Sequence, residues 1–170
     1  MKKNNLGISL IEIVVVIGVF AVLGILSTRV IALSLQGSKK ADAQIKVREN
    51  LDYAIGVIER HLRNAESITS CGTNIVHYID SNNVPASFWC AGIYPDAGYI
   101  ASGSAIIASG ITRLTSEEII IKSCSFVCTP KTQITPPKVA IDIQAVDAAS
   151  QGSKEGATVS ISTEINLRTY

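Results

Sequence analysis

The chain has 170 residues, 47% of them hydrophobic, a formal net charge of +1 and a mean hydropathy of +0.32. With about 35 residues committed to a leader and an apolar helix, about 135 remain, enough for one compact domain with a single core. Apart from Lys39-Lys40 the body carries no Lys/Arg block, so no electrostatic footprint for nucleic acid is visible.

The first element is a basic leader, Met1-Lys-Lys-Asn-Asn-Leu-Gly7, followed by Ile8-Ser-Leu-Ile-Glu12 and the apolar run Ile13-Val-Val-Val-Ile-Gly-Val-Phe-Ala-Val-Leu-Gly-Ile-Leu26. From Ile8 to Thr28 only Glu12 interrupts the apolar character, and this stretch is long enough to cross a bilayer. A carboxylate in such a segment costs a few kcal/mol at a bilayer centre and less near its edge, so it is read as functional. Leader, junction and helix together resemble the type IV pilins and the pseudopilins of type II secretion. In that family a prepilin peptidase cuts after the Gly, methylates the new N-terminus, and needs the Glu five positions into the mature chain. The resemblance assigns these roles to Gly7, Ile8 and Glu12. Ile8 departs from the Phe that is usual at the first mature position.

A cleavable secretory signal is the rival reading, with Ala32-Leu33-Ser34 as a small-x-small site. Its apolar core is usually 7–15 residues long and carries no acid near its start. Lys2 and Lys3 argue for a cytoplasmic start, but Arg29, Lys39 and Lys40 stand close beyond the other end. The family resemblance implies a leader inside and a domain outside, in the order 1–7 leader peptide, 8–35 transmembrane and assembly helix, 36–170 extracytoplasmic domain. Removal of Lys2 and Lys3 with the leader would leave one net negative charge.

Helical periodicity continues from Ala41 to Ile68. Leu51, Ile55, Ile58, Leu62 and Ala65 form one apolar stripe, with Glu59 and Arg63 at i,i+4 outside it. Gln36-Gly37-Ser38 is a candidate kink or short break. Beyond Cys71-Gly72 the period becomes two. Asn74–Ile79 and Ala86–Ile93 read as strands around the turn-rich Asp80-Ser-Asn-Asn-Val-Pro85. Pro95 to Gly110 reads as a loop, and Glu118 to Phe126 as a third strand. Two further strands alternate clearly, one through Val139, Ile141, Ile143 and Ala145, the other through Val159, Ile161, Thr163, Ile165 and Leu167. They flank the polar Asp147–Gly156 connection and are expected to pair antiparallel. Such alternation buries one face of a sheet and wets the other, and the Leu51–Ala65 stripe is the expected cover. The fold class is α+β, with the pilin-like layout implied by the resemblance: a long N-terminal helix packed on an antiparallel sheet.

Four cysteines in a chain that looks exported point to two disulfides. Cys71 and Cys90 flank the first strand region and can meet across it, which leaves Cys124 with Cys128. Four residues of regular strand span about 13 Å, against a usual Cα separation of about 4.4–6.8 Å. Either Ser125-Phe-Val127 turns, or the pairing crosses over.

Catalytic chemistry is not expected. His61 falls on the amphipathic helix and His77 on a strand, with no nucleophile motif near either. Cys124-Ser-Phe-Val-Cys128 is not a zinc knuckle, and no metal or other cofactor is expected. Glu117, Glu118 and Asp142 read as solvated. Trp89, Phe88 and Tyr78 could form an adhesive patch, although aromatic residues in strands are more often core. Asn50–Ala65, Leu114–Ile121 and Thr158–Arg168 resemble, more loosely, the larger minor pseudopilins: the J type of type II secretion and the W type of type IV pili. The resemblance implies a minor structural subunit at or near a filament tip, anchored in the inner membrane by one helix. Its partners would be prepilin peptidase and other major and minor pilins, with no small-molecule substrate. The alternative is a membrane-anchored binding module for DNA uptake or adhesion, displayed on such a filament. Which filament system it serves is not legible.

Overall fold

The computed structural model describes residues 9–92, 97–104, 110–132, 135–149 and 157–167. The chain divides into two compact units, Met1–Lys39 and Lys40–Tyr170. One α-helix, α1 (Leu10–Arg63, 54 residues), runs through the first unit and into the second. Gln36-Gly37-Ser38 does not break it, contrary to the expected kink: all three residues are helical. A single glycine costs about 1 kcal/mol relative to alanine, too little to interrupt so long a helix.

In the second unit α1 buries Val47, Leu51, Ala54, Ile55, Ile58 and Leu62, and Ala65 just beyond it is buried too. The predicted stripe is therefore the packed face, widened by Val47 and Ala54. The helix stops five residues earlier than its periodicity suggests. Asn64 and Ala65 donate N–H bonds to the carbonyls of His61 and Leu62 (both 3.2 Å), tightening the last turn, and Glu66 N–H goes instead to Ile79 O (2.9 Å). Arg60, His61 and Arg63 occupy that turn, where positive charge favours the helix dipole.

Where one sheet was expected, there are two, both antiparallel meanders. The larger runs β1 (Ser67–Gly72), β2 (Ile75–Ile79), β3 (Pro85–Ala91), β4 (Tyr99–Ser104), β5 (Thr112–Arg113), in that spatial order. The smaller is β6 (Ile119–Thr129), β7 (Lys138–Asp147), β8 (Thr158–Asn166), with β7 central. The expected β7–β8 pairing is present, in register from Lys138↔Asn166 to Val146↔Thr158 without a bulge. The Asp80–Asn83 turn closes through Asn83 N–H to Asp80 O (2.8 Å), with Asn83 at φ 60°, a conformation asparagine tolerates well. Of these strands, β4 falls in the stretch read from sequence as a loop, β1 begins at the expected helix end, and β5 lies between the expected elements.

Alternation decides what each strand gives to the core. Val76, Tyr78, Phe88, Cys90 and Ile100 come from the larger sheet. Ile119, Ile121, Cys124, Phe126, Val139, Ile141, Ile143 and Ile165 come from the smaller. Both sets pack with the helix stripe in one continuous cluster. The bulge between Ile121 and Ser123 in β6 changes the parity of its inward residues from odd to even. That shift aims Cys124 and Cys128 at the larger sheet.

Candidate functional site

In the first unit every residue from Leu10 to Lys39 is solvent-exposed within this single chain. Seventeen large apolar side chains from Leu10 to Leu35 are at least 47% exposed. A helix apolar on all sides finds no water-compatible arrangement by itself; it demands lipid or other apolar helices. Its length and mean hydropathy of 2.8 suffice to cross a membrane.

Two hydroxyls within this stretch are satisfied locally, whereas its one carboxylate is not. Ser27 Oγ donates to Leu23 O (2.8 Å) and Thr28 Oγ1 to Ile25 O (2.9 Å), so neither hydroxyl is left unsatisfied. Glu12 sits in the first turn, its N–H donating to Ser9 O (3.0 Å), as does that of Ile13 (3.3 Å). The positive end of the helix dipole stabilises a carboxylate there. Its side chain has no hydrogen-bond or ion-pair partner among the described residues. Arg29, the next charge along, lies about 26 Å away by helical rise and cannot answer it. Arg29 can instead extend its long stem toward a membrane surface. Gly7 and Ile8, the predicted cleavage and methylation positions, lie outside the described residues.

The four predicted cysteines form two disulfides, but they cross over: Cys71 with Cys128 (Cα–Cα 6.0 Å) and Cys90 with Cys124 (6.3 Å). This corrects the Cys71–Cys90 and Cys124–Cys128 arrangement. The reason is that Ser125–Val127 does not turn. Cys124 and Cys128 stay on one regular strand, opposite Ile143 and Val139 of β7, and too far apart to meet. Both bridges staple β6 to the larger sheet. Phe126 N–H, between them, donates to Thr73 O at the β1–β2 turn (2.9 Å), and Ile121 N–H donates to Gly98 O (2.9 Å). The β6 edge is thereby tied to the larger sheet at four points.

The remaining candidates resolve into structure. Tyr78 stacks on Phe88 (5.3 Å between centroids, 11°), and His61 meets the same ring edge-on (5.9 Å). Trp89 follows Phe88 in an alternating strand and so lies on the opposite face, its ring against Gly103. The three aromatics therefore do not assemble an adhesive patch. His77 stands level with Ser70 and Ser87 in the sheet register. Asp142 is exposed and Glu117 nearly fully so, but Glu118 is not simply solvated. Lys46 of α1 bridges Glu118 (3.3 Å) and the buried Asp147 (3.6 Å), and neighbouring Asn50 accepts from Ser116 N–H (3.2 Å). This polar tie of helix to sheet was missed because Lys46 and Asp147 are about a hundred residues apart with no local pattern to link them. Among the described residues no group of His, Cys, Asp and Glu is placed to hold a metal.

Comparison with protein-family models, with curated proteins and with solved structures finds no match to the chain.

Proposed function

We propose that the chain is a minor pilin or pseudopilin, a structural subunit that assembles through its N-terminal helix into a type IV pilus or a type II secretion pseudopilus, at or near the tip. The observation that carries this reading is Glu12, without a side-chain partner among the described residues, in the first turn of a helix whose Leu10–Lys39 half is apolar and exposed. Behind it stand the Lys2-Lys3 leader, the Gly7-Ile8 junction, and a domain in which the second half of the same helix packs against antiparallel sheets. Prepilin peptidase would cut after Gly7 and methylate Ile8. The new terminal amine, still cationic, is the natural partner for a carboxylate held in lipid. Within one helix Ile8 and Glu12 are about 6 Å apart in axial rise. A staggered neighbour's amine can approach Glu12 more closely, so the pairing joins subunits. The precursor would cross the inner membrane once, with its domain outside, and its work is assembly rather than catalysis.

Intact mass of the membrane-extracted protein tests this. The expected species begins at Ile8 and carries one added methyl. A chain beginning near Leu35 would establish a secretory signal and end the filament reading.

A further inference from the structure

An exposed sheet edge recruits other strands unless it is shortened, bulged, charged or covered. Among the described strands, three edges are managed in these ways. β1 is bulged between Ile68 and Ser70, β5 is two residues long, and β6 is tied to the larger sheet by hydrogen bonds and disulfides. β8 is the exception. It runs nine residues beside β7 without a bulge, and it contains no proline, lysine or arginine.

The register fixes which of its backbone groups face outward. Leu167 N–H donates to Pro137 O (3.0 Å), one step beyond the Lys138↔Asn166 pair. Hydrogen-bonded and non-hydrogen-bonded pairs alternate along an antiparallel ladder, so Val159, Ile161, Thr163 and Ile165 also turn their N–H and C=O toward β7. Thr158, Ser160, Ser162, Glu164 and Asn166 therefore present theirs to the free edge. All five residues are exposed, and none of these outward backbone groups has a hydrogen-bond partner among the described residues. Beside the edge, on the sheet face that packs with α1, Val159 and Ile161 are half-buried, and Ile45 of α1 is 55% exposed. Ile45, Arg48, Thr158 and Val159 line a shallow groove of about 450 Å³ there.

We propose that the β8 edge takes up an extended segment of a different polypeptide, added antiparallel as a fourth strand of the smaller sheet, with alternate apolar side chains toward α1. The occupant follows from the chemistry. A row of N–H and C=O groups at every second residue is complemented by extended backbone. Residues of the added strand that bond to β8 carry their side chains on the outer face with Ser160 and Ser162. The intervening residues fall on the Val159 face, where the groove admits an apolar group. A second copy's β8 is excluded by direction. α1 runs in the same sense as β8, because Ile45 and Arg48 lie by Val159 while Glu59 accepts from Thr163 Oγ1 (3.0 Å). Antiparallel β8 strands from two copies would set their α1 helices in opposite senses, whereas copies held in one membrane enter it by the same end. That exclusion rests on the filament reading; the open edge does not.

The test uses the full-length chain, extracted from membranes in detergent, and a fluorescent capped decapeptide of alternating valine and threonine. Anisotropy should show saturable binding, and amide exchange should slow across Thr158–Asn166. Methylating the peptide's threonine amides, which face β8 in this arrangement, should abolish binding; methylating its valine amides, which face away, should not. An all-threonine peptide should bind several-fold more weakly. Ser162→Pro removes one outward N–H and leaves the β7 ladder alone, as proline on an edge strand can. It should weaken binding several-fold, whereas Ser162→Ala should not. Absence of binding, or binding indifferent both to threonine-amide methylation and to Ser162→Pro, overturns the proposal. A dimer of the chain that Ser162→Pro dissociates overturns the choice of occupant. Intact mass is read on the same sample. A chain that begins at Ile8 and does not bind overturns the edge site alone; a chain that binds but begins near Leu35 overturns the filament reading and leaves the edge site standing.

Discussion

Tyr78 concentrates the domain's sensitivity to alkali in one phenol. Its ring is 4% exposed and stacked on Phe88, and burial, with Asp80 two residues away, pushes its pKa from 10.0 up to about 12. The fold holds the neutral form. As pH rises, the unfolded chain ionises this tyrosine first. The stabilisation tied to it is therefore full below about pH 10 and is lost as pH climbs from 10 toward 12. Each pH unit between the two ionisations is worth about 1.4 kcal/mol, so the loss across that window is on the order of 3 kcal/mol. Denaturant unfolding of the detergent-solubilised chain at pH 9 and pH 11, wild type beside Tyr78→Phe, should show a smaller alkaline loss in the variant. Parallel losses would mean that Tyr78 ionises in the folded state as easily as in the unfolded one.

Among the elements, β6 decides how the two sheets hold together. It donates two backbone hydrogen bonds across to the larger sheet and carries one cysteine of each bridge. The bridges close separations of 57 and 34 residues, and each alone is worth about 4 kcal/mol in the chain-entropy model. Non-reducing peptide mapping should recover Cys71 with Cys128 and Cys90 with Cys124. Replacing Cys71 and Cys128 by Ser should lower unfolding stability by about 2–4 kcal/mol while the Cys90–Cys124 bridge still forms. Recovery of a Cys71–Cys90 peptide would contradict the sheet arrangement itself. The sequence left a crossed pairing open as one of two alternatives; which crossed pairing forms depends on two sheets meeting, and no local pattern encodes such a meeting. The elements themselves were legible wherever burial is one-sided. Val139-x-Ile141-x-Ile143-x-Ala145 announces β7, and Leu51 to Ala65 announces the helix face. Ser67-Ile-Thr-Ser-Cys-Gly72 and Tyr99-Ile-Ala-Ser-Gly-Ser104 do not announce strands. They are rich in Ser, Gly and Ala, and become strands through pairing with β2 and β3. The candidate site was legible for the opposite reason. One carboxylate among Ile, Val and Leu violates the local rule so plainly that no fold is needed to find it.

For the whole molecule, the deciding variant is Glu12→Ala. Residue 12 belongs to the Met1–Lys39 unit, and the core lies wholly in the other, so the domain's unfolding transition should not move. The resemblance makes Glu12 a requirement of the peptidase as well, so intact mass of each protein establishes cleavage after Gly7 before docking is compared. Docking should suffer. A cationic N-terminus in an apolar setting would lose its counter-charge, and stranding one member of a desolvated pair costs about 3–5 kcal/mol. On the proposed reading a minor subunit would contribute few copies, so filament number is too blunt a readout, and incorporation of this chain is the quantity to follow. Co-purification with partner pilins, wild type against Glu12→Ala, should fall by a factor of about 100 or more if the full penalty applies, each 1.4 kcal/mol being tenfold. Glu12→Asp keeps the charge on a shorter stem and should recover part of the loss, which separates a charge effect from a packing effect. Equal recovery of all three proteins would remove Glu12 from docking and leave its function at the helix N-terminus, where the dipole alone gives a carboxylate up to about 1 kcal/mol at an exposed site.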